Sequence, residues 1–215
     1  MDEKIIHITE NFVRDALGED STGHDWHHIE RVRKNALYIA EKEQKGDSFM
    51  IEMAALLHDI PDEKLNPSKE EGERKLSEFL QTLGIQEGII NKIKEIIYSI
   101  SFKGGKNTRL LSEEAEIVQD ADRLDAIGAV GIARAFAYGG KKGQAIYDPD
   151  MAARNKMTEA EYRNGKSTSI NHFYEKLLKL KDRLNTETAI KMAEDRHQFM
   201  EQFLQQFYKE WNGQA

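Results

Sequence analysis

Apolar residues recur along this chain mostly at intervals of three and four, the spacing of helices that bury one face. Ile5, Ile8, Phe12, Ala16 and Leu17 line one side of a first helix over Glu3–Leu17. After a polar loop, Ile29, Val32, Ala36, Ile39 and Ala40 mark the inward face of a second, from about Trp26 to Lys45. A third begins at Ser48 and is apolar almost throughout until His58 and Asp59, where Pro61 disfavours helix at the residue before it. Ser68 caps a fourth that runs to Leu83 and stops at Gly84, and a fifth covers about Gln86–Ile100. Ser112 caps a sixth running to about Leu124, which continues through the small residues of AIGAVGIARAFAYGG to Gly139–Gly140. The periodicity then fails from 141 to 169, a length that marks a functional or mobile segment such as a lid. Two helices close the chain, Ile170–Leu184 and Thr186–Trp211. The pattern predicts an all-α helical bundle, one domain over residues 1–215, with its C-terminal helices in 170–215.

Composition narrows the partners. A net charge of −7 argues against stable nucleic-acid binding, which calls for a basic face. No run approaches the roughly 20 apolar residues of a membrane span, and MDEKIIHITE lacks the basic start and apolar stretch of a secretory signal, so a cytoplasmic protein is expected. Cysteine is absent, which leaves histidine, carboxylate and water as the ligands for any metal.

The stretch AALLHDIPDEK (54–64) raises the chemical question, because an apolar helix ends in His58 and Asp59, with Asp62 and Glu63 just beyond. Adjacent side chains at a helix end can grip one ion from neighbouring directions, though a histidine there also simply complements the helix carboxyl end. His24, His27 and His28 crowd the start of the second helix. In QDADRLDAIG, Asp120, Asp122 and Asp125 lie on an otherwise apolar helix, with Asp122 and Asp125 three apart on one face. Buried carboxylates demand a cation, whether an ion or a neighbour such as Arg123 or Arg134.

The order His28, His58–Asp59, Asp122, in HDWHHIERVRKNA, AALLHDI and QDADRLDAIGAVGIARAFAYGG, resembles the HD-domain superfamily of metal-dependent phosphohydrolases over a motif core of residues 23–140. The third motif is similar to bacterial members that act as nucleoside-triphosphate pyrophosphohydrolases. The resemblance implies an HD-domain bundle with the metal between helices and His28, His58, Asp59 and Asp122 as its ligands. It favours Mn²⁺, with Fe²⁺, Co²⁺, Ni²⁺, Zn²⁺ or Mg²⁺ as other occupants; two imidazoles and two carboxylates suit such an ion better than Ca²⁺. EIIYSISFKGGKN carries none of the extra histidines of two-metal relatives, so one tightly held ion is expected.

Four protein ligands on a six-coordinate ion leave room for water and a substrate oxygen. Arg31, one turn from His28, is the first candidate to meet charge developing on phosphate, and Lys64 the second. Asp62 is the candidate to orient or deprotonate the water, with Glu63 in reserve, although a turn aspartate often just binds local backbone. His24, His27, Lys106 and Arg109, together with Lys103, are candidates to hold substrate. Asp125 joins them either as a substrate contact or as an outer partner of a ligand. The expected reaction is hydrolysis of a (deoxy)nucleoside triphosphate to monophosphate and pyrophosphate. A monophosphatase, a phosphodiesterase and a non-catalytic nucleotide sensor stay open as alternatives. Tyr147, Arg154, Lys156 and Arg163 would suit a lid over a nucleotide, or plain exposure. Trp26 either anchors its helix or stacks on a base. Phe199, Phe203, Phe207 and Trp211 form a packing face, with a homodimer contact as the sharper alternative.

Overall fold

The computed structural model describes residues 2–17, 25–63, 65–100, 110, 112–154 and 165–214. Its helices are α1 (Asp2–Leu17), α2 (Trp26–Glu43), α3 (Ser48–Leu57), α4 (Lys69–Thr82), α5 (Glu87–Ile100), α6 (Glu113–Asp125), α7 (Gly128–Lys141), α8 (Ser169–Glu175) and α9 (Glu187–Trp211). Two short 3-10 turns, Leu177–Lys179 and Lys181–Arg183, join α8 to α9. No strand occurs among the described residues.

A helix that is apolar all round needs neighbours all round. Ile51 and the run Met53–Leu57 of α3 are fully buried, and α1, α2, α5 and α6 enclose that helix. The adjoining pair α2 and α6 forms the other half of the centre, and α9 lies across α7, α2 and α6. The ends are set locally. Asp25, Asp47, Ser68, Ser112, Thr168 and Thr186 each accept the amide three residues on, at the starts of α2, α3, α4, α6, α8 and α9.

Several elements depart from the pattern. The buried side of α1 is Ile5, Ile6, Thr9, Val13 and Leu17, while Ile8 is exposed. Thr9 takes a core position because its hydroxyl donates to the Ile5 carbonyl, and Phe12 turns aside to stack on Phe79 of α4 at 3.8 Å. Helix α3 ends at Leu57, two residues short of Asp59, and the chain enters a turn. The sixth helix does not run on to the glycine pair. It closes at Asp125, and Gly128 adopts a φ of +75°, a conformation that only glycine takes at little cost, to start α7 in a new direction. Helix α8 likewise stops at Glu175, and the two 3-10 turns occupy the rest of the expected 170–184 helix.

On α9 the buried stripe is Ala189, Ala193, Met200 and Leu204. Phe203 and Phe207 pack beside it, whereas Phe199 and Trp211 are 48% and 49% exposed, so only the middle of the expected aromatic face is internal. The described parts of the aperiodic segment lie against the helices. Ser169 and Ile170 donate amides to Ala145 and Ile146, and the Tyr147 ring meets Phe207, Tyr208 and Trp211. Trp26 is buried beneath the Arg14 guanidinium, 3.8 Å from its ring centroid, and so anchors α2. Among the described residues no helix is long and apolar enough to cross a membrane.

Candidate metal centre

Three pieces of chain meet where α3 ends. His58 is the cap residue of α3, and its Nδ1–H donates to the Ala55 carbonyl at 2.9 Å. The turn that follows is tied down at each step: Ile60 donates to Leu57, Asp62 to Asp59, and the Asn66 amide to the carbonyls of Ile60 and Asp62, both at 2.8 Å. This fixes Asp59, which is 6% exposed. From α2 comes His28, fully buried one turn inside the Asp25 cap. From α6 come Asp122 and Asp125, one turn apart.

The donor atoms converge. Asp59 lies between the imidazoles, with Oδ2 3.4 Å from His28 Nε2 and Oδ1 3.4 Å from His58 Nε2. Asp122 Oδ1 is 3.6 Å from His28 Nε2 and 3.9 Å from His58 Nε2. One ligand atom each from His28, His58 and Asp59 lies within 4.8 Å of the others. Donors bound to one ion at about 2.0–2.2 Å stand roughly 3–4 Å apart, so these separations suit a shared cation. Each histidine commits Nδ1–H elsewhere, which turns the lone pair of Nε2 toward the common centre. His58 Nε2 is buried and finds no hydrogen-bond partner among the described residues, a costly state that a cation relieves. Of the four side chains Asp122 is the most exposed, at 45%, where His28, His58 and Asp59 are nearly enclosed.

Behind the ligands sits Asp125, 2% exposed. It accepts from His28 Nδ1 at 2.7 Å, Arg31 Nε and Nη2 at 2.6 and 3.0 Å, and Arg134 Nη1 at 2.7 Å. Burial opposes its charge, but the His28 and Arg31 hydrogen bonds outweigh this and hold its carboxyl well below the usual range. Burial likewise opposes a charged His28. Its hydrogen bonds to Asp125 and Asp59, with the Asp59 charge, prevail and push its pKa up to about 9 in the metal-free protein. Arg31 and Arg134 thus neutralise the rear carboxylate, while Asp59 and Asp122 present two negative charges to the gap between the imidazoles. That gap selects a divalent cation.

The remaining site residues fall as follows. Arg31 is beside the centre, and its fork is engaged by Asp125. Asp125 itself is enclosed, so the expected substrate contact gives way to a supporting one. His27 is exposed where His28 is buried, since neighbours on a helix leave it about 100° apart. Asp62 is half-buried in the turn and Glu63 is exposed. His24, Lys64, Lys103, Lys106, Arg109, Lys156 and Arg163 lie outside the described residues. Asp120 meets the need for a partner without an ion or an arginine, by accepting from the amides of Asn185 and Thr186. Arg154 is held by Glu175 rather than presented to a ligand. Arg134, expected from the sequence as a possible counter-charge for the aspartates of α6, pairs with Asp125 across the break between α6 and α7.

The profile of the HD domain family matches residues 25–127. Over 204 residues the chain is 42% identical to YpgQ of Bacillus subtilis, a span of 94% of this chain and 91% of that protein. A crystal structure of an HD-superfamily hydrolase from Bacillus thuringiensis matches over 100% of both chains, with 47% identity and a TM-score of 0.77. The crystal structure of Bacillus subtilis YpgQ in complex with ADP matches over 95% of this chain and 97% of that one, with 40% identity and a TM-score of 0.76.

Proposed function

The chain belongs to the HD-domain family, in general metal-dependent phosphohydrolases, and on that premise we propose that its substrate is a nucleoside or deoxynucleoside triphosphate, hydrolysed to monophosphate and pyrophosphate. The observation that carries the reading is the convergence of His28, His58 and Asp59, with Asp122 Oδ1 3.6 and 3.9 Å from the two imidazole nitrogens and His58 Nε2 buried without a hydrogen-bond partner among the described residues. These four side chains are the ligands. Mixed imidazole and carboxylate donors suit Mn²⁺. The ion, when bound, supplies a Lewis acid for a phosphoryl oxygen and lowers the pKa of water.

The protein's own groups do the rest. Asp125 fixes the His28 ring through Nδ1, and Arg31 and Arg134 fix Asp125. Asp122, the exposed ligand, marks the side from which a phosphate chain arrives. Asp62, one turn past Asp59, is the group to take the proton of the attacking water. The ADP complex of YpgQ supports a nucleotide as ligand. The test is incubation with nucleoside and deoxynucleoside triphosphates and Mn²⁺, with the products resolved. Monophosphate and pyrophosphate are expected in equal amounts; inorganic phosphate with accumulating diphosphate refutes this cleavage site.

A further inference from the structure

Helix α4 carries a glycine at its fourth position, where alanine would be the better helix former. Gly72 is buried and is not among the glycines with a left-handed φ, so backbone freedom does not account for it. Space does. A Cβ on Gly72 would lie 2.8 Å from the Pro61 carbonyl oxygen, 2.9 Å from Asn66 Nδ2 and 3.0 Å from the Pro61 carbonyl carbon. The bare backbone of α4 therefore bears directly on the turn that follows His58 and Asp59.

That turn has little freedom to give way. Asn66 donates to the carbonyls of Ile60 and Asp62, both at 2.8 Å, and these flank the Pro61 carbonyl that meets Gly72. The Ile60 and Asp62 amides donate back to Leu57 and Asp59, at 3.0 Å each. Ser68, two residues after Asn66, caps α4 by accepting from the Glu71 amide at 3.2 Å, which joins the turn closely to the helix that supports it. A side chain at position 72 would thus press on main chain, not on the loose end of another side chain. Carbon atoms in contact normally stand about 3.5–4.0 Å apart, so α4 and the turn would have to separate by roughly half an ångström or more. Groups that bind a metal or a substrate work within about 0.5 Å of their productive placement.

We propose that Gly72 is a positioning residue for the metal centre: lacking a side chain, it lets α4 set where the turn presents Asp59 and Asp62. This rests on the reading of His28, His58, Asp59 and Asp122 as ligands and adds to it a support on a helix that contributes none of them. The test is calorimetric titration of the full-length, chelator-treated protein with Mn²⁺, at a temperature where every variant is folded. Gly72→Ala should melt earlier than wild type and bind Mn²⁺ about 10-fold more weakly, as when a ligand loses its outer support. Two controls separate position from stability. Gly88→Ala puts the same methyl group into open space on α5 and should leave Mn²⁺ affinity unchanged without lowering Tm. Phe79→Leu breaks the stack of α4 on Phe12 and should lower Tm with Mn²⁺ affinity unchanged. If Gly72→Ala loses helix content, Asn66→Ala takes its place, because it loosens the same turn without added bulk, and a loss of about 10-fold is again expected. Wild-type affinity in the variant measured, or an equal loss in Phe79→Leu, overturns the proposal and leaves the metal centre standing. A wild-type protein that takes up no Mn²⁺ overturns both.

Discussion

Asp125 accepts the Nδ1–H of His28 at 2.7 Å, while Asp122, one helical turn earlier, approaches the opposite nitrogen of the same ring at 3.6 Å. Two carboxylates on one face of α6 thus act on one imidazole from its two ends. The rear one orients the ring and sets which nitrogen carries the proton. The front one shares the ring's lone-pair side, where a cation fits.

Replacing the rear carboxylate separates support from ligation. Asp125→Asn keeps the shape but leaves Arg31 and Arg134 without their shared charge. A loss of about 3 kcal/mol in urea unfolding is expected from breaking such a buried pair. Mn²⁺ affinity should fall by about 10- to 100-fold, as when the outer partner of a histidine ligand is removed. Unchanged affinity by calorimetry would show that the His28 ring holds its orientation without Asp125.

Asp59 touches both imidazoles, so Asp59→Ala should reduce bound metal from one ion per chain to almost none, read by elemental analysis of gently purified protein. Helix content by circular dichroism should stay near wild type, because Asp59 lies in a turn beyond α3. Metal at about 100 times its dissociation constant adds about 2.7 kcal/mol to the wild type. For a chain of this length that is a rise in Tm of roughly 5–10 °C. The variant should show no such rise, and two tightly bound ions in the wild type would contradict the single-site reading.

Glu175 anchors the segment before α8. It accepts from the Arg154 amide at 3.0 Å, Arg154 Nε and Nη2 at 2.8 and 2.7 Å, and Ser167 Oγ at 3.1 Å. Burial alone would raise its pKa, but the Arg154 and Ser167 hydrogen bonds outweigh burial and hold it below the usual range. A group depressed on folding stabilises fully above its unfolded pKa, about 4.3 for glutamate, and that contribution disappears as pH falls through the lower folded value. Wild-type stability should therefore drop as pH falls below about 4.3, and Glu175→Gln should flatten part of that drop. At pH 7 the variant should lose about 1–2 kcal/mol, a moderate cost because Arg154 remains 25% exposed. Identical acid profiles for the two proteins would remove Glu175 from the account.

Much of this was readable from spacing. The caps Ser68 and Ser112 stand where polar residues precede periodic runs, and the helical class follows from the intervals themselves. His58 and Asp59 announced themselves as polar residues ending the most apolar helix. What stayed hidden depends on contacts between distant segments. Ile8 and Ile6 have equal claims to a buried face until α3 chooses between them. The break at Gly128 is concealed because AIGAVG reads as good helix, and only the left-handed φ reveals the turn.

Asp120 provides the contrasting case, two residues from a proposed ligand on the same helix. It is fully buried and accepts from the Asn185 amide at 3.0 Å and from the Thr186 amide and hydroxyl at 2.8 Å each, so it fastens the start of α9 to α6. Its removal leaves the donors of that junction with no carboxylate. Each buried donor so stranded costs about 1–3 kcal/mol, and water reaching the opened junction recovers part of it. Asp120→Ala should therefore unfold about 3 kcal/mol more easily in urea. Mn²⁺ affinity should match wild type at temperatures where both are folded, because Asp122 and Asp125 keep their own contacts to His28. A tenfold loss of Mn²⁺ affinity in Asp120→Ala would show instead that α9 holds α6 in the register the centre needs.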